Sequence, residues 1–145
     1  MLLNIFGIEK PENSIEWMIF LAEKYAGMFW KGTVLTLLIA VLGTLLGFLL
    51  GYVIGIIQDA KIGRGDPVLR KAPIRLMKFI AAIYVEIFRD TPMIVQAMII
   101  YFGIRQANIG ITPVSAAVLV TVLNTGAYMA ETVRAGIGSI DQGQR

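Results

Sequence analysis

The sequence contains no cysteine and no histidine among its 145 residues. The first absence removes disulfides, thiolate metal sites and cysteine nucleophiles. The second removes the usual zinc ligand and the usual general base. Neither an intramembrane metalloprotease nor a Ser-His hydrolase can be built from this chain. Charge is scarce as well: 16% of residues are charged, against roughly 25% in an average soluble domain. With 57% hydrophobic residues and a mean hydropathy of +0.72, a soluble cytoplasmic enzyme is excluded. The net charge of +3 belongs to membrane orientation rather than to phosphate binding, so no nucleic-acid partner is expected.

What is present is long apolar runs. Residues 33–57 form 25 consecutive positions without an ionisable side chain. As a helix that run is about 37 Å long, enough to cross a hydrocarbon core of about 30 Å with some tilt. Its sixteen Leu, Ile, Val and Phe residues favour insertion by roughly 5–10 kcal/mol. It starts too late for a cleavable signal peptide, and Glu9, Glu12, Glu16 and Glu23 precede it where positive charge is needed.

The segment 58–78 carries Lys61, Arg64, Arg70, Lys71, Arg75 and Lys78 against Asp59 and Asp66. The positive-inside rule places it in the cytoplasm and the N-terminus outside. Residues 1–32 then read as an extracytoplasmic segment with a short interfacial helix, opened by the capping-box string Asn13-Ser14-Ile15-Glu16 and anchored by Trp17, Tyr25 and Trp30.

A second span is expected at about 88–107. Arg75, Lys78, Ala82, Glu86 and Arg89 fall on one face of a helix beginning near Ile74. An amphipathic helix feeding a span that restarts at Asp90-Thr91-Pro92 fits this pattern, with Thr91 as cap and Pro92 in the first helical position. One continuous helix from about residue 74 is the competitor. A short outer loop at 105–110 leads to a third span, about 111–133, with Pro113 in its first turn and Glu131, Arg134, Asp141 and Arg145 returned to the cytoplasm. The fold class is therefore all-α and polytopic.

Three constellations stand out. Gly43, Gly47, Gly51 and Gly55 recur every fourth residue, three overlapping G-x-x-x-G units that let another helix approach. That partner is either a helix of this chain or a second subunit. In the third span Thr121, Asn124, Tyr128 and Glu131 share a face; they either bond between helices or line a solute path, as do Glu86, Arg89 and Gln96 upstream. Gly63-Arg64-Gly65-Asp66 matches an intramembrane aspartyl-protease string, but it sits in a basic loop with no second Asp inside a clear span.

Phe88-Arg89-Asp90-Thr91-Pro92, Val95-Gln96 and Tyr101-Phe102-Gly103-Ile104 resemble the second-span signature of permease subunits of polar amino-acid ABC importers of the histidine, glutamine, arginine and opine type. Asn124 to Glu131, then Val133 to Ile137 and Ile140 to Gln144, resemble that family's third span and the approach to its coupling loop. Position 90 is often Gly in the family, so Asp90 adds a charge. The resemblance covers roughly residues 30 to 145. It implies three transmembrane helices of the type I ABC importer permease fold, in the inner membrane of a bacterial cell. The implied partners are an ATPase subunit, an extracytoplasmic solute-binding protein, a second permease subunit, the lipid bilayer and a polar amino-acid solute. The permease is expected to be no enzyme and to hold no cofactor or metal, since no Walker A string is present. Family members have five spans, with a Glu-Ala-Ala loop after the third, so the chain reads as the N-terminal part of a permease. A small three-span scaffold without a transport pathway is the alternative.

Overall fold

The computed structural model describes residues 13–63 and 67–140. The string at 64–66, the acidic residues Glu9 and Glu12, and the tail positions Asp141 and Arg145 lie outside the described residues. Five helices follow in order: α1 (Ser14–Lys24), α2 (Ala26–Asp59), α3 (Val68–Asp90), α4 (Met93–Gln106) and α5 (Pro113–Gly138). Among the described residues there is no strand. The helices α2 and α5 are long and apolar enough to cross a membrane, and the bent pair α3–α4 makes a third crossing if taken as one span.

The chain divides into two compact units within α2, after Leu38. In the first unit, Asn13 occupies the N-cap of α1 but its side chain makes no capping bond, so the Asn13 half of the capping box read from the sequence is not formed. Trp17 packs edge-on against Phe20, and the Lys24 ammonium lies over the rings of Phe20 and Tyr25. Only Tyr25 separates α1 from α2. The first long helix therefore begins at Ala26, not near Thr33, and takes in Trp30. No proline occurs between 26 and 33, and Gly27 and Gly32 each cost only about 1 kcal/mol inside a helix, too little to stop one that the following apolar residues continue. The boundary expected at residues 32–33 is not a helix boundary.

In the second unit, α2 and α5 lie side by side. Gly43, Gly47, Gly51 and Gly55 are the buried residues of α2. A Cβ built on Gly43 would strike Thr121; one on Gly47 would come within 2.7 Å of Thr125 Cβ; one on Gly55 would come within 2.7 Å of Val133 Cβ. A Cβ on Gly51 would lie 2.5 Å from the Gly126 carbonyl oxygen and 2.9 Å from the Ala130 nitrogen. The contacts advance together, four residues at a time on both helices, so α2 and α5 run parallel. The core beside this contact is made of small side chains: Ala116, Val120, Ala127 and Ala130 on α5, and Ala81 and Val85 on α3. Small residues allow backbones to approach where lipid tails supply no hydrophobic drive between helices. The outward apolar residues of α2, among them Leu38, Leu45, Leu49 and Val53, stay exposed, as a lipid-facing surface requires.

Two parallel crossings need a return between them, which α3 and α4 supply together. The pair is bent by 112° at Thr91 and Pro92. Thr91 is extended (φ −104°, ψ 140°), as is Pro92 (ψ 133°). Proline disfavours helical geometry in the residue before it and brings no N–H of its own. Residues 88–90, expected in the second span, therefore end α3, and α4 is the 14-residue helix that follows. Thr91 is the C-cap of α3 rather than the cap of α4, and Pro92 stands at the N-cap of α4 instead of its first turn. The helix α3 also starts earlier than Ile74 and runs through Pro73. After α4 the chain turns at Asn108, whose φ is +59°, a left-handed geometry that Asn tolerates better than most residues. Thr112 then caps α5, accepting from the Ser115 N–H at 3.1 Å, with Pro113 at the first position. The third long helix continues past residue 133 to Gly138.

The glycine contact generates a paired prediction. Gly51→Ala places a methyl against backbone atoms of α5, which cannot rotate away, and should cost about 1–3 kcal/mol. Gly103→Ala meets nothing within 4 Å and should gain roughly 0.5–1 kcal/mol from helix propensity. Denaturation of the purified variants in detergent tests both signs; a neutral Gly51→Ala would contradict the close approach.

Candidate functional site

The polar faces of α3 and α5 meet, near the end of α2, in an open cleft of about 400 Å³. It is lined by Gln58 of α2, by Lys78, Ala82, Glu86, Arg89 and Asp90 of α3, and by Glu131 and Arg134 of α5. Lys78, Ala82, Glu86 and Arg89 reach it because the amphipathic face of α3 is continuous over three turns. Arg75, on the same sequence stripe, does not line it. Glu131 is the centre of the charges: its carboxylate accepts from Arg134 Nε at 3.1 Å and from Arg134 Nη2 at 2.5 Å, and Arg89 Nη1 stands 3.8 Å away. Arg89 also lies over the Tyr128 ring, 5.7 Å from its centre. Glu86, Asp90 and Lys78 make no ion pair among the described residues. The cleft holds three carboxylates and three cations, and its formal charges cancel.

One turn deeper, Tyr84 donates to the Leu123 carbonyl at 2.6 Å. Its hydroxyl sits over Gly126, where a Cβ would come within 2.7 Å of it, so glycine makes room for the phenol. At the α3–α4 break lies a part-buried polar cluster around the buried Gln96. The Thr91 hydroxyl donates to the Ile87 carbonyl (2.6 Å), and Gln96 Nε2 donates to the Phe88 carbonyl, the Thr91 carbonyl and Thr91 Oγ1, each at 2.9 Å. Three oxygens around one end of the Gln96 amide require the nitrogen there. Its oxygen then accepts from Asn124 Nδ2 at 3.3 Å, and Asn124 Nδ2 also donates to the Phe88 carbonyl at 3.1 Å. Gln96 is only 6% exposed. An unpaired carbonyl buried from water costs about 1–3 kcal/mol on mutational scales, and a broken helix leaves several such groups at its end.

The residues singled out in the sequence thus separate into three environments. Glu86, Arg89 and Glu131 are brought together in the cleft, with Tyr128 at its edge. Gln96 and Asn124 are joined to each other and to the end of α3, away from the charges. Thr121 turns toward Gly43 of α2 and gives its own proton to the Ala117 carbonyl. Sequence reasoning did not single out Lys78, Asp90, Arg134 and Gln58 as site residues. Lys78 was visible on the charged stripe and Arg134 as the i+3 neighbour of Glu131; Gln58 carried no signal, because only the α2–α5 packing delivers it. Among the described residues no group of His, Cys, Asp and Glu side chains could hold a metal ion.

No protein-family model matches the chain. It is 46% identical over 68 residues to the arginine transport system permease protein ArtQ of Bacillus subtilis, an alignment covering 46% of this chain and 31% of that protein. It is 41% identical over 68 residues to the glutamine transport system permease protein GlnP of Escherichia coli, with the same coverage of both. Over 75 residues it is 36% identical to the L-cystine transport system permease protein TcyB of Bacillus subtilis, covering 52% of this chain and 32% of that protein. The crystal structure of an amino acid ABC transporter with histidines superposes with a TM-score of 0.71 at 32% identity, covering 86% of this chain and 53% of that one. The chain is a relative of the amino-acid ABC permeases. It spans about a third of the length of these permeases and about half of the solved transporter chain. The resemblance to permease subunits of amino-acid ABC importers is borne out by sequence and by fold together.

The charged cleft yields a stability prediction. The Glu131 and Arg89 side chains are 30% and 39% exposed, so solvent screens their attraction, and pairs of this kind contribute about 0–1 kcal/mol. Glu131→Gln should leave the unfolding midpoint within a few degrees of the parent, read by a thermal-shift assay in detergent. A large destabilisation would mean that the pair holds the helices together.

Proposed function

We propose that this chain forms part of the translocation pathway for polar amino acids in an ATP-driven, binding-protein-dependent importer. The observation that carries the reading is the meeting of α3 and α5 polar faces in one open cleft with both signs of charge. A zwitterionic solute needs an anionic contact for its ammonium and a cationic one for its carboxylate. Glu86 and Asp90 on one side, and Lys78 with Arg89 on the other, offer both without forming a covalent bond. Glu131 is already shared between two arginines, so a solute carboxylate approaching Arg89 competes with it. Such an exchange changes contacts between two states without chemistry, which is what alternating access requires.

In this reading the segment between α2 and α3 faces the cytoplasm, as does the end of α5, and α1 lies on the outer side. The parallel course of α2 and α5 fits an odd number of crossings, outside to inside. An ATPase subunit would hydrolyse ATP and drive the switch from the cytoplasm, a solute-binding protein would deliver the amino acid from outside, and a second permease subunit would complete the pathway. The permease itself would be no enzyme. Nothing observed favours the scaffold alternative.

Two measurements test the proposal. Because the chain has no native cysteine, Lys61→Cys should resist a membrane-impermeant thiol reagent in intact cells while Asn13→Cys reacts; reversed labelling overturns the orientation. In a complete permease, Glu131→Gln should lower uptake about tenfold or more, or change solute preference, at normal expression. Unchanged uptake kinetics across several amino acids would remove the cleft from the pathway.

A further inference from the structure

We infer that Asn124 and Gln96 are positioning residues that latch the α3–α4 bend to α5, instead of contacting the solute as their place on the polar stripes suggests. The inference deepens the permease reading and rests on it only where uptake is concerned.

The bend is unsupported by the local backbone. Thr91 and Pro92 are both extended, Pro92 has no N–H to return to α3, and the last turn of α3 faces a gap of two residues before α4 begins. Left to itself such a joint is a hinge. What closes it comes from side chains. Gln96, in the first turn of α4, reaches back to the Phe88 carbonyl and to both oxygens of Thr91. That bonding ties α4 to α3 but does not tie the junction itself to α5, which α3 otherwise meets through Tyr84 and Arg89. Asn124 supplies the remaining connection: its single amide nitrogen donates to the Phe88 carbonyl on α3 and to the Gln96 oxygen on α4. One residue of α5 therefore holds both arms of the bend at their junction.

The chemistry leaves little capacity for a solute. The Gln96 nitrogen has three acceptors and its oxygen has one donor, and Gln96 is buried. A solute group could bond Gln96, or take the Asn124 nitrogen, only by breaking the joint. The position of the latch gives it a consequence in the cleft. Arg89 follows Phe88 directly in the chain, so the residue whose carbonyl is gripped by both amides is the immediate neighbour of the arginine that faces Glu131. Release of the latch would let the end of α3 move and carry Arg89 with it.

The test uses cysteine pairs in the membrane-embedded permease, which is clean because the chain has none of its own. Ala97 and Ala117 line one groove between α4 and α5, and Leu50 of α2 and Leu123 of α5 line another that they share with α3. Each pair, changed to cysteine in a separate protein, is joined by a short bifunctional thiol reagent and the yield is measured with and without Asn124→Ala or Gln96→Leu. We expect either substitution to lower the Ala97–Ala117 yield about fivefold or more, the shift in a two-state equilibrium that follows loss of one net hydrogen bond, while the Leu50–Leu123 yield stays unchanged. If neither yield moves, the bend does not depend on these amides and the inference fails. If both fall together, Asn124 and Gln96 support the whole bundle rather than the bend, and the inference fails equally. Uptake supplies a second reading: a latch lowers the maximal rate for arginine, glutamine and histidine in the same proportion, whereas a changed order of preference among them overturns the positioning role. A parent protein that carries none of these solutes would count against the permease reading alone, since the cross-linking result stands without transport.

Discussion

Everything in the second unit depends on how closely the backbones of α2 and α5 approach. Four glycines on α2 remove the side chains that would hold the helices apart, and α5 answers with Thr121, Thr125, Met129 and Val133 in the same four-residue rhythm. Neither helix has much alternative: apart from its glycines, α2 buries none of its residues, so the glycine face is its one dry surface. Parallel packing follows from the advancing register, and parallel packing dictates that the intervening chain must travel back across the same thickness. The fold of α3 and α4 is the answer to that demand.

That answer is a broken helix, and the break has consequences on both sides. Upstream, α3 can carry four ionisable groups along one face because it is not required to be apolar all round. Downstream, α4 is short and largely apolar, about 21 Å long at 1.5 Å per residue, and opens with a proline that ends the previous element. Between them a helix end is left in a dry place with carbonyls to satisfy. Thr91, Gln96 and Asn124 meet that need with side-chain donors. The polar residues of the middle of this protein are thus divided by purpose, amides at the joint and charges in the cleft.

How much of this was legible in the sequence follows from what each signal measures. The glycine spacing, the apolar runs and the Pro92 breaker are local facts, and they led directly to α2, α5 and an interrupted second element. Helix ends were less visible. The start of α2 at Ala26 and the passage of α3 through Pro73 depend on neighbouring structure more than on residue preference. The stripe Thr121, Asn124, Tyr128 and Glu131 shows the limit of periodicity. A shared helical face spans a wide arc, and in this bundle the arc is divided: Thr121 meets α2, Asn124 meets the joint, and Glu131 meets the arginines. Spacing identifies the residues that point away from lipid but does not tell which neighbour each one finds. Gln58 was illegible for the same reason, since every other residue that lines the cleft lies far along the chain, from Lys78 onward.

The two polar groups also differ in the freedom they leave. In the cleft the charges cancel in sum but not pair by pair: Glu131 takes two arginines, while Glu86, Asp90 and Lys78 are unpaired among the described residues. Such a site is partly solvated, its pairs are individually weak, and groups entering from outside can exchange with those already present at small cost. At the joint both ends of the buried Gln96 amide and the Asn124 nitrogen are committed, so the same exchange would leave the Phe88 carbonyl short of its donors. A protein that must change its contacts without losing its fold needs this separation. Arg89, one of the exchangeable charges, and Phe88, whose carbonyl both amides grip, are consecutive residues, so the joint and the cleft meet at a single peptide unit.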